Sequence, residues 1–298
     1  MKRNLAIAAM AALLLGVALP RIAAGDTEVR QLAGQWKMFQ VMNGSTKLRV
    51  FTDGDGPTIV MLPHAGAGPV ALEPLAQRLV ARGFRVLLPE PRGYGQSIGT
   101  LDGVTLDDLA ADVARAIENI GAAPVLVAGH AYGNRVARML ASDRPDLVRG
   151  VVLMAAGGKF PPGQEAQQNI NTFLDTSLPA ERRLTAARAA LYGPQGNPTL
   201  DDIAPDRTSA DTARMQLAAT DPKLVPLDSW WSGGSAPMLV IQGLADVAAP
   251  PENGRSLKAD YPERVTLVEL PGLGHRMTWE RPDLITEAIA AFAQKLAK

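Results

Sequence analysis

Apolar positions along the chain fall into short unbroken runs separated by stretches with helical spacing. Thr58–Leu62 (TIVML), Arg85–Leu88, Val125–Ala128, Gly150–Met154, Met238–Gln242 and Val265–Leu270 are runs of this kind. Unbroken apolarity over so few residues fits strands covered on both faces, as in a parallel sheet. Between them lie amphipathic stretches: Val70–Arg82, Leu106–Ile120, a segment from Asn134 with Val136, Met139 and Leu140 on one face, and a final Leu284–Leu296. Upstream, Trp36–Met42 and Leu48–Thr52 are β-rich and flank Asn43-Gly44, a hairpin turn signal. Strands alternating with helices through short loops predict a doubly wound, mostly parallel α/β sheet.

One interval breaks the alternation. From Lys159 to Gly234 there are about 75 residues without a convincing strand. Its helical pieces include Pro179–Tyr192 and Ser209–Ala219, separated by the turn-rich Gly193–Pro198. At the other extreme, Lys2 and Arg3 precede fifteen apolar or small residues, Leu5–Leu19, followed by Pro20 and the small residues Ala23, Ala24 and Gly25. A basic start, a short apolar core and a small-residue exit read as a cleavable signal peptide, and fifteen residues fall short of the roughly 20 a membrane span needs. The expectation is an exported, secreted or periplasmic product without stable membrane association after cleavage.

Composition narrows the classes. The 30 basic and 30 acidic residues of the 298-residue chain balance, with no basic run, so nucleic acid is not an expected partner. Cleavage after Ala24 removes Lys2, Arg3 and Arg21 and leaves 27 basic against 30 acidic residues, a net charge of −3. With no cysteine there is no disulfide, no thiolate nucleophile and no lipobox. No dinucleotide fingerprint or metal-ligand cluster occurs, so no cofactor and no metal are expected.

The chemistry concentrates where Val125–Ala128 meets Gly129-His130-Ala131-Tyr132-Gly133 and a helical run begins. Strand, glycine-flanked turn and helix in this order resemble the nucleophile elbow of the α/β-hydrolase superfamily, G-x-S-x-G, with Ala131 where that family carries its nucleophile. Four further stretches follow the family's chain order: LPHAGAG (Leu62–Gly68), PRGYGQS (Pro91–Ser97), MLVIQGLADVAAPP (Met238–Pro251) and LPGLGHRMTWERPD (Leu270–Asp283). The resemblance spans roughly Trp36 to Lys298. With the signal peptide at 1–24 set aside, it implies an eight-stranded-type sheet in a core from 25–158 and 235–298, and a helical cap at 159–234.

Residue by residue, the resemblance places Asp246 as the acid and His275 as the general base. The oxyanion N–H groups would come from Tyr132 and from Ala65 or Gly66, since Ala65 replaces the family's usual glycine. His64 and His130 resemble positions that brace the loops beneath the site. Trp230 and Trp231, at the end of the cap, could line an apolar pocket or simply pack. Ser97 and Asn134 read as structural. Three functional readings follow. The first is an enzyme acting on a small, apolar ester- or carbonyl-containing substrate through His275 and Asp246 without a serine, as hydrolase or cofactor-free lyase. The second is a pseudoenzyme that binds a ligand or partner. In the third, a serine esterase has had its nucleophile substituted at position 131. A methyl group cannot attack a carbonyl, so every reading turns on that position.

Overall fold

The computed structural model describes residues 32–33, 35–204 and 208–296. The expected signal peptide lies outside the described residues. In chain order the elements are β1 (Lys37–Asn43), β2 (Thr46–Asp53), β3 (Thr58–Leu62), α1 (Glu73–Ala81), β4 (Arg85–Pro89), α2 (Leu106–Ile120), β5 (Val125–His130), α3 (Gly133–Asp143) and β6 (Val148–Met154). Four helices follow without a strand: α4 (Gln164–Leu174), α5 (Ala180–Leu191), α6 (Ala210–Ala218) and α7 (Leu227–Trp230). The chain closes with β7 (Met238–Gly243), α8 (Glu252–Asp260), β8 (Val265–Leu270), α9 (Met277–Glu280) and α10 (Pro282–Leu296).

The eight strands form one sheet in the order β1-β2-β4-β3-β5-β6-β7-β8. Strand β2 runs antiparallel to β1 and β4, and the remaining pairs are parallel. This is the mixed, doubly wound sheet that the apolar runs predict. Every residue of β3, β5 and β7 is buried, because helices cover both faces. Side chains alternate across the sheet. Val60, Leu62, Val127, Val151 and Val240 pack with α2 and α3 in one core, whereas Ile59, Met61, Leu126, Val152 and Ile241 pack with α1 and α10 in the other.

Local chemistry sets the helix limits. Thr105 caps α2 by accepting from the Asp108 N–H, while the Asp108 carboxylate accepts from the Thr105 N–H. Gly121, at φ 61, closes the same helix in the left-handed region. The inserted helices carry a small core of their own, built on Phe173, Ala187, Ala190, Leu191 and Ile203. Helix α4 is an element the hydrophobic pattern does not announce, since it buries only Ala166 and Phe173. Among the described residues no helix is long and apolar enough to cross a membrane.

The strand order reverses between β3 and β5, which lie side by side and feed connections running in opposite directions. The crevice at the carboxyl ends of such strands is where open α/β sheets bind ligands. Both the His64 loop and the Ala131 turn emerge there.

Candidate active site

The turn after β5 is built by close approach. A Cβ on Gly129 would fall 2.4 Å from the Asn134 nitrogen, and one on Gly133 would fall 2.3 Å from the Leu62 carbonyl oxygen. Only glycine permits the helix to start so tightly against β3. Between them Ala131 adopts φ 50, a left-handed conformation that costs a Cβ-bearing residue about 1–2 kcal/mol. The Ala131 N–H donates to Met154 O (2.9 Å), and its carbonyl accepts from the Asn134 N–H (3.2 Å).

Asp246 and His275 arrive from the ends of β7 and β8 and meet. His275 Nδ1–H donates to the Asp246 carboxylate, at 3.0 Å to Oδ2 and 3.1 Å to Oδ1. The same carboxylate accepts from the N–H groups of Ala248 (3.0 Å) and Ala249 (2.7 Å), so its orientation is fixed from two sides. Asp246 is buried, and the His275 side chain keeps 14% exposure. With Nδ1–H committed to the carboxylate, His275 Nε2 is left as the basic nitrogen.

The other two histidines stand beside His275. The rings of His64 and His130 are 5.7 Å apart edge to face, and those of His130 and His275 are 5.4 Å apart. His130 Nε2–H donates to the His275 carbonyl at 2.8 Å, and His64 Nδ1–H donates to the Ala65 carbonyl at 3.1 Å. A carbonyl can only accept, so these contacts fix a neutral tautomer of each ring. Burial, reinforced by the charges of His275 and Arg276, pushes the His130 pKa down to about 3. Burial and then the Arg276 charge hold His64 well below the ordinary histidine value.

Of the three candidate oxyanion donors, Gly66 N–H donates to Gln216 Oε1, while the N–H groups of Tyr132 and Ala65 have no acceptor among the described residues. The Tyr132 ring packs inward, and burial raises its hydroxyl pKa. Trp230 and Trp231 are buried as well. They hold the Arg138 guanidinium, which lies 4.4 Å and 4.9 Å from the two ring centres. Arg138 in turn donates to Asn134 Oδ1 and to Gly157 O, both at 2.6 Å. Ser97 is structural, its hydroxyl accepting from the Arg49 N–H and donating to Glu90.

Two hollows lie near these groups. A cavity of about 40 Å³ sits beside the elbow, lined by Leu62, Tyr132, Gly133, Val136 and Gln216 among others. A cleft of about 420 Å³ lies between Tyr192–Pro198 and Pro271–Arg281. Ala131, His275, Trp230 and Trp231 line neither. Three residues that the sequence reading missed take part in the frame: Gln216, Arg138 and Glu280. The Glu280 carboxylate accepts from the Gly193 and Gly274 N–H groups at 2.9 Å each, tying the inserted segment to the His275 loop. Burial raises its pKa.

With this geometry in place, comparison with known proteins identifies the lineage. The profile of the Alpha/beta hydrolase family matches residues 59–288. The chain belongs to that family. BpoC of Mycobacterium tuberculosis H37Rv, which carries a non-heme bromoperoxidase name, is 28% identical over 245 residues, 79% of this chain and 93% of its own. Haloalkane dehalogenase 2 of Mycobacterium bovis is 30% identical over 227 residues, 69% of this chain and 77% of its own. The crystal structure of BpoC superimposes with a TM-score of 0.70 at 27% identity, covering 86% of this chain and 97% of BpoC.

Proposed function

We propose that the chain is an exported enzyme that uses His275 as a general base on a small, apolar ester- or carbonyl-containing substrate, without a covalent intermediate. The observation that carries this reading is the assembled dyad. Asp246 is held by two backbone N–H groups and bonded to His275 Nδ1, although the elbow beside it holds alanine. In hydrolysis, His275 Nε2 takes a proton from water as the water oxygen bonds to the substrate carbonyl carbon. The developing oxyanion rests on the Tyr132 N–H and a second donor from the His64 loop. Collapse breaks the bond to the leaving group, which departs with the proton from His275. The same base can instead take a proton next to a carbonyl, which gives a lyase. Triad enzymes stripped of their side chains still retain roughly 10³-fold catalysis over water, so base and oxyanion hole together are a workable minimum.

The test is turnover by the parent protein on a panel of small esters and carbonyl compounds. His275→Ala is expected to lower the rate at least about a hundredfold. Turnover that survives His275→Ala unchanged rejects the reading.

A ligand-binding protein without turnover is the second reading. Its support is the elbow itself, where Ala131 offers no nucleophile. For a binder, His275→Ala leaves ligand affinity nearly unchanged and no substrate is consumed.

A further inference from the structure

The inserted segment meets the His275 loop backbone to backbone. The Arg276 N–H donates to the Leu191 carbonyl at 2.8 Å. A Cβ on Gly193 would fall 2.0 Å from the Gly272 carbonyl oxygen, and one on Gly274 would fall 2.4 Å from the Gly193 nitrogen. No side chain fits between the two chains there, so the seam needs glycine on both sides.

Glu280, the last residue of α9, closes this seam. Its Oε1 accepts from the N–H of Gly274, the neighbour of His275, and its Oε2 accepts from the Gly193 N–H of the insertion, each at 2.9 Å. A carboxylate suits the place. It accepts on both oxygens and donates on neither, and its hydrogen bonds are roughly twice as strong as those of a neutral acceptor. The loop that carries the acid is drawn in as well. The Ala245 N–H, beside Asp246, donates to the Leu273 carbonyl at 3.0 Å, and Ala248 packs against the small core of the insertion.

We infer that Glu280 is a positioning residue: it seats the insertion and the His275 loop against each other, so that His275 holds its bond to Asp246 while the insertion is docked and loosens from it when the insertion lifts. Glu280 acts on His275 through Gly274. This deepens the reading of His275 as the base, and its consequence for rate rests on that reading.

The first test needs no turnover. NMR of the parent reads the ring N–H protons of the three histidines, and His275→Ala identifies the His275 signal by its loss. Glu280→Gln keeps the shape but offers an N–H2 where one backbone N–H needs an acceptor. In that variant the His275 signal is expected to shift or broaden, together with that of His130, whose ring donates to the His275 carbonyl. The Arg276 amide, which bonds across the seam to Leu191, should exchange at least about tenfold faster. The His64 signal, on the Ala65 carbonyl, should stay and reports that the variant is folded. An unmoved His275 signal or an unchanged Arg276 amide overturns the inference. Where the His64 signal is lost too, Phe173→Ala decides, since it hollows the insertion's own core and leaves Glu280 in place. The same shift of His275 is expected there, and a His275 signal that does not move overturns the coupling.

The second test supplies a nucleophile through Ala131→Ser. Adding Glu280→Gln should slow acylation by p-nitrophenyl acetate about ten- to a hundredfold and leave the dissociation constant of the ester within about threefold. Unchanged acylation while the signals move makes Glu280 a structural tie alone and overturns the positioning role. If Ala131→Ser is itself not acylated, the base reading fails, and the ring and amide signals still decide whether Glu280 couples His275 to the insertion.

Discussion

Two substitutions at position 131 read two different properties of the elbow. Ala131 occupies φ 50, where a Cβ costs about 1–2 kcal/mol. Ala131→Gly removes that cost and returns about 0.5–1 kcal/mol through the greater freedom of glycine in the unfolded chain. The expected net effect is a stabilisation of about 0.5–1 kcal/mol, or a Tm rise of roughly 1–4 °C for a domain of this size. Ala131→Ser keeps the Cβ and adds one oxygen at a half-buried position, so its stability should lie within about 0.5 kcal/mol of the parent. Its chemistry should differ sharply. A complete triad contributes on the order of 10⁶ to kcat, so a serine set beside His275 should raise p-nitrophenyl acetate hydrolysis by at least ~10³. The assay is paired: thermal melts of the three proteins, and stopped-flow release of p-nitrophenolate with mass spectrometry of the quenched protein. The serine variant should show a burst and an added acetyl group, and the alanine and glycine proteins neither. A lower Tm for Ala131→Gly would refute the stored strain. A serine variant that folds normally but gains less than tenfold, with no acyl adduct, would refute the claim that base and oxyanion donors stand ready around position 131.

Three other outcomes are expected. Burial holds the His130 pKa at about 3 in the folded protein against the ordinary histidine value of 6.5, so the unfolded chain takes up the proton first as pH falls. The resulting stability is complete above about pH 6.5 and lost toward pH 3, by up to ~1.4 kcal/mol per pH unit. His130→Asn, which keeps a donor for the His275 carbonyl, should reduce the pH slope of urea midpoints measured between pH 6.5 and 4, the His64 contribution remaining, and an unchanged slope would show that His130 does not carry its share. Gly133→Ala drives a Cβ to 2.3 Å from the Leu62 carbonyl oxygen, a backbone clash expected to cost about 2–3 kcal/mol and to lower Tm by roughly 4–12 °C; an unshifted melt would mean that the elbow does not press on β3. Mass spectrometry of the protein from fractionated cells should find a mature N-terminus near Gly25 or Asp26, and a full-length cytoplasmic chain would contradict export.

The sheet was legible because its physics is local to each strand. A parallel strand covered on both faces has to be apolar throughout, and β3, β5 and β7 are buried at every position. The hairpin was legible from Asn43-Gly44, although the turn falls one residue later than that pair: Asn43 ends β1 and pairs with Thr46, and the loop is Gly44-Ser45, with Gly44 at φ 57. Helix α4 was not legible, because a helix resting on a small core shows only a narrow apolar stripe. At the site, the elbow, Asp246 and His275 lie on short motifs whose glycines and prolines mark them. Gln216 lies on an ordinary-looking stretch, and although Arg138 sits on the elbow helix and Glu280 within the His275 motif, each of the three bonds to a segment, at Gly66, Gly157 or Gly193, that only folding brings near. Gln216 is 150 residues from Gly66 in the chain. A polar residue in a weakly amphipathic helix reads as a solvated position, and nothing in its neighbours says that it will be buried.

The elbow keeps its geometry without a nucleophile because its supports do not involve the side chain at 131. The Ala131 N–H and carbonyl are held by Met154 O and the Asn134 N–H. The Asn134 side chain donates to the carbonyl of Ala155, itself at φ 53, and accepts from Arg138. Arg138 is fully buried and pairs with no carboxylate among the described residues, and burial depresses its pKa. Its charge is accommodated instead by three carbonyl oxygens, those of the Asn134 side chain, Asn134 and Gly157, and by the faces of Trp230 and Trp231. The two tryptophans close the inserted segment, so the strained turn is clamped from β6 on one side and from the insertion on the other. Truncating Trp230 or Asn134 should therefore loosen residue 131 more than any change at 131 itself. Loss of the nucleophile by a single substitution would have left base, oxyanion donors and turn geometry all standing.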